Sequence, residues 1–478
     1  MDGDKKFDLR VFLESLGYQT ISSDWDTYVQ NWKSWYKGHV DKFHDYNIYN
    51  GEKTIGCHRK TLAMAKKVCE DKADLLLNEK VTITVSTENA QPDTVSPLQQ
   101  LVDDILENNN FWVMGNNLVE LTAALGTGAF VEYLDSGKVN IDYITADCIF
   151  PLSWSNGEIT ECAFASKINR RNLNGYYVTV HVKENGKYSV HNYLLDDEGK
   201  EQPLPNGLLP VWNTKSEMPM FQIVKLNICN NIDYTCPMGI SLLQNSIDTL
   251  KAIDTCFDSY VNEFITGRKR IFIDDTMMKV SYEDGTFKQR FDSRDTVFYG
   301  ADLGGDKGTE HIKEVNMTLR SAEHETALQS FLNMLSSKCG FGKGYYKNDA
   351  DGVQTATGVI SQNSQLYRNI KKDEIPLEKN LIDLVEAILF LSGKGNADIS
   401  INFDDSIIED TDAVSKRAML EQSAGIIDDV EYFQRVYKMT PEAAQAKHDE
   451  IAKRKEQEPS EPDMLNDNPD DDAGGDGE

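Results

Sequence analysis

Residues Gly239 to Arg270 read GISLLQNSIDTLKAIDTCFDSYVNEFITGRKR, and between Gly239 and Gly267 there is neither glycine nor proline. Leu243, Ile247, Leu250, Asp254, Phe257, Val261 and Phe264 recur at steps of three and four, the spacing of one helix face. At 1.5 Å per residue, a helix over this stretch is about 40 Å long. It ends in Gly267-Arg268-Lys269-Arg270, a basic cluster suited to the negative end of a helix dipole. Residues 271–318 then read as short strands and turns. A second helix resumes near Arg320, with Leu328, Phe331, Leu332 and Leu335 on one face, and stops at Cys339-Gly340. Two long helices thus bracket a small β-rich insert. The simplest arrangement is an antiparallel pair with the insert at its far end.

Outward from this pair, Gly340 to Thr355 is glycine-rich and polar, which predicts a mobile loop. A long helical pattern follows from Ala356 to Leu391, and Pro376 inside it should kink or break the helix. Ile399 to Phe403 reads as a strand. Two or three small helices come next, and the chain after Lys455 reads as disordered. Upstream, Trp25, Tyr28, Trp32 and Trp35 fall on one helix face. A core-facing stripe explains them better than nucleobase stacking, because basic residues do not interleave with them densely enough. Helices near 62–76, 96–108 and up to Leu125, with strands from Val81 and then from Ala129 to Val224, make the first half a mixed α+β domain.

Composition narrows the function. The 478 residues carry 78 Asp+Glu against 49 Lys+Arg, a formal charge of −29. A protein that wraps nucleic acid needs a basic surface, and an anionic membrane repels an acidic one. Ten of the acids and no basic residue lie between Glu456 and Glu478. No apolar run approaches the roughly 20 residues of a membrane span, and none near Met1 suits a signal peptide, so a cytosolic origin is expected. The eight cysteines form no Cys-x-x-Cys pair and read mostly as buried thiols.

Signatures of catalysis are missing from the sequence. There is no Gly-x-x-x-x-Gly-Lys-Ser/Thr loop; Gly304-Gly305-Asp306-Lys307-Gly308-Thr309 lacks the Gly-Lys step and reads as a turn. The eight histidines show no metal-ligand spacing, and no Gly-x-Ser-x-Gly elbow occurs. Adjacent acids such as Asp103-Asp104, Asp274-Asp275 and Asp404-Asp405 point about 100° apart on a helix and read as solvated surface. The expectation is a non-enzyme with no cofactor and no metal.

Several stretches together resemble the portal proteins of tailed bacteriophages, in the compact branch from long-tailed phages and prophages. They are Trp35-Tyr36-Lys37-Gly38, Phe43-His44-Asp45-Tyr46 and Tyr49-Asn50-Gly51, the helix from Leu62 to Glu79, Pro237-Met238-Gly239-Ile240-Ser241 leading into Ile247 to Ile271, and Thr355 to Ser364. The family more often has glutamate where Gly358 and Gln362 stand. The likeness spans roughly residues 10–455. It implies the portal fold: a wing over 1–237 with 370–409, a first stem helix over 238–267, a clip over 268–318 and a second stem helix over 319–339. A channel loop over 340–355, a kinked helix over 356–391, a crown over 410–455 and an acidic tail over 456–478 complete it.

The same resemblance implies a twelve-copy ring at one capsid vertex of the virion, made in the host bacterial cytoplasm, through which double-stranded DNA passes during packaging and ejection. Its implied partners are the terminase large subunit, head-completion, adaptor and tail proteins, and the major capsid and scaffolding proteins; no membrane is involved. Lys343, Lys347, Arg268, Lys269 and Arg270 are the cations that could centre DNA. Leu243, Ile247, Leu250, Phe257, Val261, Phe264, Leu328, Phe331 and Leu335 would pack the stem and ring. Competing readings are another connector or adaptor ring of the same machine, a soluble scaffold, and a metal-dependent DNA-processing enzyme.

Overall fold

The computed structural model describes residues 8–78, 80–86, 96–170, 173–205, 207–268, 270–274, 280–283, 286–289, 298–301, 312–315, 317–347, 356–403, 411–437, 439 and 441–457. The chain divides into two compact units, Met1–Asp404 and Asp405–Glu478.

The first unit begins with α1 (Leu9–Ser15), whose Asp8 side chain caps the helix by accepting from Arg10 N, and α2 (Asp24–Tyr36). Trp25, Trp32 and Trp35 of α2 are buried and face the core, whereas Tyr28 of the same stripe is 37 % exposed. A hairpin follows, β1 (Asp45–Tyr49) against β2 (Thr54–His58). Helix α3 (Met64–Leu76) runs into β3 (Thr82–Ser86), where Ile83 and Val85 point inward and the intervening threonines outward. Helix α4 (Pro97–Asn108) starts as its sequence predicts, with Ser96 accepting from Leu98 N and proline at the first turn.

Helix α5 (Phe111–Leu125) ends at Gly126, which takes φ +89°. Strands β4 (Gly128–Asp135) and β5 (Lys138–Thr145) join β12 (Phe221–Val224) in a sheet ordered β12-β4-β5. Between them lie β6 (Ile149–Ser155), β7 (Glu158–Arg170), β8 (Leu173–Glu184), β9 (Lys187–Leu195), β10 (Glu201–Gln202) and β11 (Val211–Asn213). These form the antiparallel sheet β10-β9-β8-β7-β6, with β11 also on β9. The Asn185-Gly186 turn between β8 and β9 has φ +51° and +83°, the left-handed pair a tight hairpin requires. Leu9 and Leu13 of α1 pack on Val178, Val180 and Leu195 of this sheet.

Then come α6 (Ile247–Thr266) and, beyond the strands β13 (Arg270–Asp274), β14 (Val280–Glu283), β15 (Thr286–Gln289), β16 (Phe298–Ala301) and β17 (Ile312–Val315), α7 (Ser321–Lys338). The first helix is shorter than its apolar spacing suggests. Its 20 residues span about 30 Å, and a 3₁₀ turn over Gln244–Ser246 precedes it. The reason is local: Leu242 N and Ser241 Oγ both donate to Ala123 O, which holds this segment off the helical path. Leu243 therefore belongs to the lead-in.

Helix α8 (Ala356–Leu391) continues through Pro376 without a break, and β18 (Asp398–Asn402) pairs antiparallel with β3. In the second unit, α9 (Thr411–Ser423), α10 (Asp429–Tyr437) and α11 (Pro441–Gln457) follow one another, and Glu421 is held between Arg417 at 2.9 Å and Arg435 at 2.8 Å. Of the segment read as a disordered tail, Glu456 and Gln457 belong to α11, and 458–478 lie outside the described residues. Among the described residues no helix is long and apolar enough to cross a membrane.

Candidate functional site

The helix pair is antiparallel, as its contacts at both ends require. Ser246 Oγ lies 3.6 Å from Cys339 Sγ at one end. At the other, Arg320 grips Glu263 through Nε at 3.1 Å and Nη2 at 2.8 Å, which holds the Glu263 carboxyl down to about 2. Between them Tyr260 stacks on His324 with ring centroids 5.4 Å apart. Leu250, Ile253, Leu328, Leu332 and Leu335 form the buried seam.

The residues assigned to stem and ring packing divide by burial. Leu243, Leu250, Leu328 and Leu335 are buried within the chain itself; Ile247, Phe257, Val261 and Phe331 are half-buried; Phe264 is 48 % exposed. Leu250 is thus core, and Phe264 is the large apolar group of this set left on the surface.

Entry into α6 is set by two glycines placed back to back. A Cβ on Gly126 would lie 2.3 Å from Gly239 O, and one on Gly239 would lie 2.3 Å from Gly126 O. Gly239 N donates to Thr127 Oγ1 at 2.9 Å, and Lys225 Nζ donates to Pro237 O and Gly157 O, each at 2.9 Å. Gly126-Thr127-Gly128 thus seats the Pro237-Met238-Gly239 segment as well as following the end of α5.

The near half of α6 is locked to the chain around the first hairpin. Asp254 Oδ1 accepts from Leu62 N at 2.8 Å and Thr61 Oγ1 at 3.1 Å, and its Oδ2 meets His44 Nε2 at 3.1 Å. His44 Nδ1 accepts from Val40 N at 2.8 Å, which fixes the proton on Nε2. Asp258, one turn on, accepts from Lys60 N at 3.1 Å. The sequence carried a sign of this: Asp254 stands in the apolar register of its helix.

The glycine-rich segment after α7 differs from its expectation. Residues 340–347 are docked, while 348–355 lie outside the described residues. Phe341 is 1 % exposed, and its N–H donates to Ser336 O at 2.9 Å. Gly340 O accepts from Asn369 Nδ2 at 3.0 Å, Tyr346 O from Gln329 Nε2 at 2.8 Å, and Tyr346 Oη donates to Asp71 Oδ2 at 2.9 Å. Gly340, Gly342 and Gly344 have φ of +86°, +84° and +88°. The glycines supply left-handed turns that fold the segment onto α3, rather than slack.

Beneath this segment lies a buried ion pair. Lys72 of α3, 2 % exposed, sits 2.6 Å from Asp373 of α8 and under the Phe341 ring, 6.0 Å from its centroid. Asp373 also accepts from Asn227 N at 2.8 Å, and Asn227 Nδ2 donates to Lys372 O at 2.9 Å. Lys372 O is the carbonyl that loses its helical partner because Pro376 has no N–H. The asparagine supplies that missing donor, so the helix runs on through its proline.

The candidate cations fall into two places. Lys343 and Lys347 are exposed on the docked segment, where Lys343 borders a groove along α7 lined by Glu325, Thr326, Gln329, Asn333, Ala322 and Met334, a mixed polar and apolar surface. Arg268 and Arg270 are exposed at the other end of α6, and Lys269 lies outside the described residues. About 30 Å of helix separates the two sets. Among the described residues no group of three or more His, Cys, Asp or Glu could hold a metal ion. All eight cysteines are free; Cys69, Cys162 and Cys339 are buried, four are half-buried and Cys229 is exposed, so fewer are buried than expected.

A native gene transfer agent neck, computed with C12 symmetry, is similar at 11% identity and a TM-score of 0.46, over 89% of this chain and 97% of that one. A virion of the native gene transfer agent particle gives 11% identity and a TM-score of 0.44, over 90% and 99%. No curated protein matches. The family model described as "Phage portal protein, SPP1 Gp6-like" matches residues 22–461, nearly the whole chain. The chain belongs to the SPP1 Gp6-like family of phage portal proteins.

Proposed function

We propose that this portal protein closes into a ring of twelve copies at one capsid vertex and that the ring conducts double-stranded DNA inward during packaging and outward during ejection. The observation that carries the reading is the family match over residues 22–461. In this reading α6 and α7 are the stem and 268–318 the clip that meets adaptor and tail proteins. Residues 1–237 with 370–409 form the wing, 410–455 the crown, and the segment after α7 faces the channel. The terminase large subunit supplies ATP hydrolysis, the capsid and scaffolding proteins surround the ring, and the chain itself performs no catalysis.

The charge suits a conduit. Affinity for DNA falls with salt by about 0.9 log units per log unit for each phosphate neutralised, so a strong grip needs many cations. A chain of charge −29 with a few exposed cations, Lys343 and Lys347 among them, guides a polyanion without retaining it. Negative-stain microscopy of the purified chain tests the assembly, with a closed ring around a central channel as the expected image and a monomer as the contrary one. Lys343→Ala combined with Lys347→Ala should change DNA packaging or retention while leaving the ring intact. Unaltered packaging and retention would remove these lysines from the DNA path.

A further inference from the structure

Strand β4 carries a glutamate in the middle of its sheet. Glu132 is 1 % exposed, and its N–H donates to Met220 O at 3.2 Å. Gln222 of β12 is 4 % exposed and pairs with Phe130, two residues from Glu132, so both side chains leave the same face of the sheet. Gln222 Nε2 donates to Glu132 Oε2 at 3.2 Å. That leaves two buried oxygens of this one pair, Glu132 Oε1 and Gln222 Oε1, without a donor.

A carboxylate can only accept, so ionised Glu132 leaves both oxygens unserved. A proton on Glu132 Oε1 would supply the donor that both oxygens lack: the acid could then donate to the amide oxygen while the amide donates to the acid.

The charged groups around the pair favour the neutral acid. On α8, Asp383 adds a like charge, and Lys379 is turned to Glu158 at 2.8 Å. On β5, the Tyr143 phenol is pushed up by burial, Asp142 is raised by burial and takes Tyr133 Oη at 3.4 Å, and Lys138 lies at the far end of the strand. On α5, Glu120 is engaged by Lys66 and Tyr36. Strand β12 has no titratable group. Burial, with the like charge of Asp383, raises the Glu132 carboxyl to about 8.

We propose that Glu132 is carried as the neutral acid and forms with Gln222 a proton-dependent latch between β4 and β12, whose hold weakens as the pH rises. The latch bears on the stem entry. Val224 ends β12, Lys225 holds the Pro237 carbonyl, and Asn227 serves Asp373 and Lys372 on α8. Seating β12 therefore seats the segment that leads to α6.

The direction follows from proton linkage. The folded chain keeps a proton that an opened or unfolded chain releases above about 4.5, so the hold falls up to tenfold per pH unit from there to about 8 and then levels. Glu132→Gln replaces the O–H donor with N–H and keeps both hydrogen bonds with no proton to lose. In full-length protein, the thermal midpoint of the wild type should fall relative to E132Q between pH 5 and 8, and the gap should stay constant above. Parallel curves over this range would overturn the proposal. Hydrogen exchange of wild-type peptides covering β4 and β12, corrected for the intrinsic rate, needs no variant. Protection there should fall over the same range while α3 peptides stay unchanged, and pH-independent protection in β4 and β12 would equally overturn it.

Discussion

Replacing Lys72 with methionine tests the buried link between α3, α8 and the segment after α7. The substitution keeps the aliphatic stem under Phe341 and removes the ammonium that sits 2.6 Å from Asp373. Both partners are at most 5 % exposed, so the carboxylate left behind cannot turn to water. Breaking a buried pair by removing one partner costs about 3–5 kcal/mol. The loss should fall at the lower end, about 3 kcal/mol, because Asn227 N still donates to Asp373. Asp373→Asn makes the opposite error and strands the ammonium beside an aromatic face worth about 0.5–1 kcal/mol, so its loss should also be at least about 3 kcal/mol. The double variant buries no charge, and its amide oxygen still accepts from Asn227 N. Its loss should be no more than about 2 kcal/mol, the scale of a volume-conserving swap with one weakened hydrogen bond. The pair is then coupled by about 4 kcal/mol. Guanidinium titrations at pH 7, read by tryptophan fluorescence, complete the cycle. Losses that add within about 0.5 kcal/mol would show that the two groups act independently and that the link does not exist.

Phe264→Asp, on a surface site, should yield a folded chain that fails to form rings on size exclusion, whereas Leu250→Asp should misfold outright because Leu250 is 2 % exposed inside the chain. Folded rings from Phe264→Asp would remove Phe264 from the assembly interface. Glu263→Gln tests the clamp between the helix ends. Arg320 depresses the folded-state carboxyl to about 2 from 4.5, so its stabilisation is full above 4.5 and is lost as the pH falls toward 2. The wild type should therefore exceed E263Q in thermal midpoint at pH 6, and the two should converge near pH 2.

The two helices were readable because their apolar residues repeat at helical spacing over long windows, a local signal, and the chain between them because that spacing stops. Hairpin turns and caps were readable for the same reason, as Asn185-Gly186 and Ser96-Pro97 show. What escaped depends on side-chain contacts between segments that no local pattern pairs, from 17 to 275 positions apart. Gly340 to Gly344 looks flexible by composition, yet each glycine serves a left-handed turn held by Asn369, Gln329 and Asp71. Pro376 looks like a helix breaker until Asn227, about 150 positions away, supplies the missing donor. Lys72 did leave a trace, since it stands between Val68 and Leu76 on the buried side of α3, where a charge requires a partner. Its identity, Asp373, was beyond any local pattern.

The Glu263–Arg320 clamp also changes what kind of object lies between α6 and α7. Its two ends are already tied, so the helix pair does not depend on the intervening chain to close it. Changing the length of the connection over 268–318 alters its closure entropy by only about 0.6 kcal/mol per doubling, and a shorter connection lowers that cost. A change of length between α6 and α7 should therefore leave the Leu250, Ile253, Leu328, Leu332 and Leu335 seam in place, because that seam is buried independently of the connection.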